Sequence, residues 1–167
     1  MDLTNKTILI TGATDGIGKV LAEEFSKLGS NIILLGKNSS KLDAVYDQLD
    51  HSFDSQKHLI LEADLSLLNN ESAHEILRAI SNEYDALDGI IHNAAILGTM
   101  TPLEDYELSK WDEVLNINLR APFLLTKTLK SIVQNSTMPR IIFTSSGVAN
   151  TGRAFWGAYS VSKFGLK

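Results

Sequence analysis

Short apolar runs along the chain alternate with stretches of helical period. Residues 6–11 (KTILIT) predict a buried strand. Residues 16–28 predict a helix, with Ile17, Val20, Leu21, Phe25 and Leu28 on one face and Gly29 as a C-terminal stop. Residues 31–35 (NIILL) predict a second strand. A helix follows, opened by a capping-box-like spacing over residues 40–43, with Leu42, Val45 and Leu49 as its inward stripe. Strands are further predicted at 57–62, 87–91 and 140–144, and helices at about 70–84 and 109–134. Strand and helix alternate, and the strands read as continuous apolar runs. Both features predict an α/β fold: a Rossmann-type, doubly wound parallel sheet with helices on both faces. No repeat, low-complexity tract or linker interrupts residues 1–167, so one dinucleotide-binding domain is expected.

Composition narrows the classes. An apolar fraction of 44% with mean hydropathy near zero is that of a globular rather than a disordered chain. A net charge of −5 argues against a nucleic-acid footprint and against an anionic membrane surface. The chain has no cysteine, which excludes disulfides, thiol catalysis and Cys-based zinc sites. The first six residues lack the basic-then-apolar layout of a secretory signal, and no apolar run approaches the length of a membrane span. A cytoplasmic location is compatible with this. His51, His58 and His74 show no metal-ligand spacing, so no metal is expected.

The first strand runs directly into Thr11-Gly12-Ala13-Thr14-Asp15-Gly16-Ile17-Gly18. Gly12 permits a tight turn, Gly16 lets backbone approach a pyrophosphate at the helix N-terminus, and Gly18 lets the helix pack close to the sheet. The bland alternative is a glycine-rich turn with no ligand. In Rossmann proteins an acid at the end of the second strand binds a ribose 2′-hydroxyl and selects NAD. This chain has Gly36-Lys37-Asn38 there. Lys37 can pair with a 2′-phosphate, which favours NADP(H) over NAD(H), unless it is simply a solvated loop lysine. Asp15 puts an acid where a base would have reinforced that preference.

Near the C-terminus stand Tyr159 and Lys163, with Ser146 thirteen residues before the tyrosine. A free phenol has a pKa of about 10. A lysine four residues along a helix shares its face, and its charge favours the phenolate, as a general acid/base near neutrality needs. A serine from a separate strand can hold the oxygen being protonated. Taken alone, Tyr-x-x-x-Lys also describes an exposed aromatic and a solvated lysine. Asn118 falls on the inward stripe Trp111, Leu115, Asn118, Pro122, Leu125, Leu129 and Ile132. A buried amide there either hydrogen-bonds backbone for structure or serves a site. Pro122 should bend the helix or free a nearby carbonyl.

These motifs together resemble the short-chain dehydrogenase/reductases over essentially the whole chain, near the branch that includes 3-oxoacyl-carrier-protein reductases. The matching residues are the glycine turn, Asp64-Leu65, His92-Asn93-Ala94-Ala95, Asn118, Ser146 and Tyr159-x-x-x-Lys163. The resemblance implies an oxidoreductase moving hydride between NADP(H) and a small carbonyl or secondary alcohol. Tyr159 would be the general acid/base, Lys163 its modulator and ribose anchor, Ser146 the substrate-orienting hydroxyl, and Asn118 the support of a proton-relay water. Gly12, Thr14, Asp15, Gly16, Ile17, Gly18, Lys37, Asp64, Leu65, Asn93, Ala94, Tyr159 and Lys163 would contact the cofactor. Two positions depart from the family's usual Asn-Asn-Ala-Gly. His92 reads as a structural substitute rather than a base, and Ala95 replaces glycine beside the nicotinamide. Ala149, Asn150, Phe155 and Trp156 would shape the substrate wall, with core packing as an equal alternative. Family members continue past the lysine, so a fragment or truncated product with an exposed sheet edge is expected. Homo-oligomers are expected of an intact chain. The competing readings are a catalytically inactive nucleotide-binding protein acting as a sensor or assembly partner, and a Rossmann methyltransferase, which gives Ser146, Tyr159 and Lys163 no reason for their spacing.

Overall fold

A computed structural model describes residues 3–167; Met1 and Asp2, the start of the N-terminal segment read for a signal, lie outside the described residues. Five strands form one parallel sheet: β1 (Thr7–Thr11), β2 (Asn31–Gly36), β3 (Leu59–Glu62), β4 (Gly89–His92) and β5 (Arg140–Phe143), in the order β3-β2-β1-β4-β5. The helices are α1 (Gly16–Lys27), α2 (Ser39–Tyr46), α3 (Asn70–Glu83), α4 (Leu108–Leu115), α5 (Ala121–Thr128), α6 (Lys130–Val133) and α7 (Gly157–Gly165). From β1 the chain winds outward through β2 to β3, then returns to place β4 on the other side of β1. That reversal leaves a crevice at the C-terminal ends of β1 and β4, where open α/β sheets bind ligands.

Strand side chains alternate between two cores. Leu9, Ile33, Leu35 and Ile90 pack with Ile76 and Ile80 of α3 and Leu124 and Leu125 of α5. Ile8, Ile10, Ile32, Leu34 and Ile91 pack with Ala22 of α1 and Leu42 and Val45 of α2. This two-sided burial is why the strands read as unbroken apolar runs. The edge strands are the exceptions: β3 is only half-buried, and Ile141, Ile142 and Phe143 of β5 stay exposed. Among the described residues no helix is long and apolar enough to cross a membrane.

Three local expectations need correction. The fully buried face of α1 is Gly18, Ala22 and Ser26; of the predicted apolar stripe only Leu21 and Phe25 pack against the core, half-buried, while Ile17 and Val20 are 63% and 55% exposed. At its first turn the helix lies too near the turn after β1 for a side chain, since a Cβ on Gly18 would stand 2.3 Å from the Gly12 carbonyl oxygen. Helix α2 is capped by Asn38, which accepts from the Lys41 amide at 2.9 Å, so the cap lies two residues before Ser40, where the sequence spacing puts the start of the capping box. The single long helix is three helices with a π-turn at Asn116–Arg120. The Ala121 amide reaches back five residues to the Asn116 carbonyl. Pro122, without an N–H, cannot bond the Asn118 carbonyl four residues back. The bend expected of Pro122 therefore takes the form of a π-turn just before it.

Asp88 clips the N-terminal ends of β1, β4 and β5 together. Its carboxylate accepts from the Thr7 amide at 3.0 Å, Lys6 Nζ at 3.2 Å and Ser136 Oγ at 2.7 Å, while its backbone bonds Thr7 and Arg140. Burial pushes its pKa up, but the three donors and the Lys6 charge outweigh it, and the net shift is downward. A carboxyl depressed on folding stabilises above its unfolded pKa, and that contribution is lost as pH falls through the folded value. Asp88→Asn is expected to cost about 1–3 kcal/mol at neutral pH. It should also remove part of the acid limb of stability in urea titrations; an unchanged midpoint would refute the clip.

Candidate active site at the sheet switch point

The crevice beyond β1 and β4 is a cavity of about 510 Å³. The turn after β1 builds its floor. Gly12 has φ 64, and a Cβ there would lie 2.8 Å from Ala94 Cα, so only glycine keeps the two turns in contact. Thr11 Oγ1 ties the same turns together, accepting from the amides of Asn93 and Ala94 at 3.1 Å each. Asn93 Nδ2 donates to the Gly12 carbonyl at 3.3 Å. In the sequence Thr11 only ends the strand and opens the glycine turn, with no role for its hydroxyl. Its bonding role lacked a local signal, because its partners lie more than eighty residues away.

One end of the cavity carries charge. Gly12, Thr14, Asp15, Gly16 and Ile17 line it, with Lys37 and Asp64-Leu65 beyond them. Asp15 caps α1, accepting from the Gly16 amide at 2.7 Å. The Ser66 hydroxyl and amide, at 2.7 and 2.8 Å, hold the Asp64 carboxylate below the usual range, and the Lys37 charge adds to this. Gly18 does not line the cavity; it lies beneath the turn, where it lets α1 sit close.

The other end carries Tyr159 and Lys163, with Asn93, Ala94, Ala95, Ile96, Ile117 and Thr144. Both come from α7, four residues apart. Lys163 is only 2% exposed, and Nζ donates to the Thr144 carbonyl at 2.6 Å. Burial lowers its pKa from the ordinary lysine value. Nζ stands 5.7 Å from the centroid of the Tyr159 ring, which tilts against Trp156 at 5.8 Å. Sequence periodicity could not foresee this burial, since the carbonyl that meets Lys163 comes from the end of β5.

Asn118 and Ser146 are not among the residues lining the cavity. Asn118 is buried and its amide is fully committed. Oδ1 accepts from the Ile96 amide and Nδ2 donates to the Ile96 carbonyl, both at 2.9 Å, and Nδ2 also donates to Ser162 Oγ at 3.1 Å. Ser162 in turn donates to the Tyr159 carbonyl at 2.8 Å. Of the two alternatives for this amide, its side chain takes the backbone-bonding one, and it links the cavity wall after β4 to α7. Ser146 is half-buried and starts the 3₁₀ turn Gly147–Ala149, accepting from the Ala149 amide at 3.0 Å. His92 points away from the cavity chemistry. Nε2 meets Thr126 Oγ1 at 2.9 Å, and the ring stacks on Phe143 with centroids 4.8 Å apart.

The residues fit a dinucleotide. A glycine turn opens at a helix N-terminus, a Cβ on Gly16 would meet nothing within 4 Å, and cations stand at both ends of the cavity. A family model described as short chain dehydrogenase matches residues 6–167. The chain is 36% identical over 162 residues to YciK, an uncharacterized oxidoreductase of Escherichia coli K12, covering 97% of this chain and 64% of that protein. It is 32% identical over 164 residues to the 3-oxoacyl-[acyl-carrier-protein] reductase FabG of Aquifex aeolicus, covering 98% and 64%. A short chain dehydrogenase from Escherichia coli CFT073, solved as a complex with NADPH, superposes with a TM-score of 0.92 at 37% identity, covering 99% of this chain and 69% of that one. The chain thus spans about 64% of the length of these two curated relatives.

Proposed function

Because the chain belongs to the short chain dehydrogenase family, we propose that it forms the cofactor-binding and proton-transfer part of an NADP(H)-dependent oxidoreductase acting on a carbonyl or secondary alcohol. The observation that carries this reading is the placement of Tyr159 and the buried Lys163 in the same cavity as the glycine turn. A bound nicotinamide supplies the hydride. The protein's own work is to hold the reacting carbon beside it and to move one proton.

In the reducing direction, Tyr159 Oη donates its proton to the carbonyl oxygen as the alcohol forms. Lys163, an ammonium with no carboxylate partner among the described residues, faces the phenolate left behind. The Thr144 carbonyl fixes Nζ and leaves its other protons for the ribose and the phenolate side of the cavity. Ser146, outside the cavity at the start of the turn after β5, is the hydroxyl assigned to orient the substrate oxygen beside it. Asn118 contributes through its backbone: with Pro122 denying its carbonyl the usual helical donor, that carbonyl is an acceptor for a relay water beside Lys163.

The test is loss of NADPH absorbance with a panel of ketones and 3-oxoacyl thioesters. Tight NADPH binding by calorimetry with no turnover on any carbonyl would overturn the enzymatic reading in favour of a nucleotide-binding sensor. Lys37 carries the cofactor preference. Its exposed ammonium lines the charged end of the cavity, where a 2′-phosphate can pair with it. Lys37→Asp is expected to shift the NADPH-to-NADH affinity ratio toward NADH by about tenfold. An unchanged ratio would remove Lys37 as the phosphate partner.

A further inference from the structure

Helix α7 delivers Tyr159, yet its first turn is poorly fixed from within. It has nine residues, too few to be stable alone. Its cap residue Trp156 makes no side-chain capping bond, and no acid stands in the first turn. Phe155, just before it, sits at φ 69, a left-handed conformation that costs of order 1 kcal/mol in a bulky residue. Something outside the helix must hold the turn that carries the tyrosine.

Tyr106 makes that contact. A Cβ on Gly157, the first residue of α7, would stand 2.8 Å from Cε2 of the Tyr106 ring. A Cβ on Gly98, which follows the cavity wall at residues 94–96, would stand 2.5 Å from the Tyr106 hydroxyl. The Thr99 amide donates to that hydroxyl at 3.3 Å, and the ring packs edge-on against Trp111 of α4, with centroids 5.7 Å apart at 89°. The phenol is thus held by the loop after β4 and by α4, and it abuts the backbone two residues before Tyr159.

We propose that Tyr106 is a positioning residue that sets the placement of Tyr159 relative to the cavity wall after β4. It touches no reacting atom; its ring acts as a spacer between that loop and the start of α7. The proposal rests on the reading of Tyr159 as the proton donor. It gives Gly157 a specific reason to be glycine: any larger residue would push the first turn of α7 away from the ring.

A double-mutant cycle tests this. Gly157→Ala is expected to lower kcat by roughly ten- to a hundredfold through displacement of Tyr159. The NADPH dissociation constant, read by fluorescence titration, should stay near that of the unmodified protein. In a Tyr106→Ala background, where the ring is gone, Gly157→Ala should have no further effect on kcat. Equal losses in both backgrounds, or an unchanged kcat in Gly157→Ala, would overturn the proposal. If Gly157→Ala accumulates poorly, recovery of NADPH-binding protein in the Tyr106→Ala background supports the contact, and failure in both backgrounds overturns it. Tyr159→Phe measured alongside separates the two claims. Full activity there defeats the reading of Tyr159; loss of activity there, without coupling between positions 106 and 157, defeats only the spacer.

Discussion

Tyr159→Phe is expected to lower kcat about a thousandfold, in the middle of the range for removing a positioned general acid. NADPH affinity should barely change. The substitution deletes one oxygen and leaves the ring, so the packing against Trp156 and the placement over Lys163 survive. Lys163 keeps its 2.6 Å bond to the Thr144 carbonyl, and the glycine turn is remote from the change. The loss should therefore fall on the chemical step: the alkoxide forming on the substrate would lose the phenol that protonates it, and the Ser146 hydroxyl can only hydrogen-bond it. Single-turnover oxidation of bound NADPH, read by absorbance beside equilibrium binding, separates the two effects. Full turnover in Tyr159→Phe would refute the proton-transfer role. A parallel loss of NADPH affinity would show instead that the hydroxyl is needed to shape the cavity.

Fold class was legible because a parallel sheet covered on both faces writes itself as apolar runs such as Ile8–Ile10 and Ile32–Leu35, separated by helical periods. The glycine turn was legible for a related reason: Gly12 and Gly18 answer steric demands that no other residue meets. The face of α1 was only partly legible: Leu21 and Phe25 pack against the core as periodicity expects, but the close approach that requires Gly18 excludes large side chains from the first turn. Periodicity counts Ile17 and Val20 as core when the geometry has no room for them. Asn118 stood out as a polar residue on an apolar stripe, but its partner could not be named. Ile96 lies in an irregular loop, and nothing in that stretch marks its amide and carbonyl as the pair an Asn would clasp. The site divides in the same way. Tyr159 and Lys163 were visible as a helical pair, whereas Thr11, Thr144 and Ser162 act through bonds between segments distant in sequence.

His92 sets the second large expectation: it should make the protein acid-labile well above the carboxylate range. The ring is 3% exposed, and Nδ1 is buried without a hydrogen-bond partner. A charged imidazole needs acceptors for both N–H groups, and here Thr126 serves only Nε2. Burial accordingly lowers the pKa from 6.5 to about 4. A histidine whose pKa falls on folding contributes its full stability above the unfolded value near 6.5, where both states are neutral. Below that, the unfolded chain binds a proton that the folded one refuses, so the contribution drains away as pH falls toward about 4. The loss amounts to roughly 2–3 kcal/mol over that window. His58 adds to it in the same direction. Burial also lowers its pKa, and its Nδ1 accepts the Ile32 amide at 3.0 Å, a bond that protonation would destroy. His92→Gln isolates the first contribution, since glutamine does not titrate and its longer side chain can bring an amide to the Nε2 position beside Thr126. Urea unfolding at about pH 7 and about pH 4 should show the variant losing less stability between the two conditions than the unmodified protein, by that 2–3 kcal/mol. The comparison holds whatever the substitution does at neutral pH, because only the difference between conditions is read. Parallel stability curves for the two proteins would mean that His92 is protonated as easily when folded as when unfolded, and that the orphaned Nδ1 finds an acceptor.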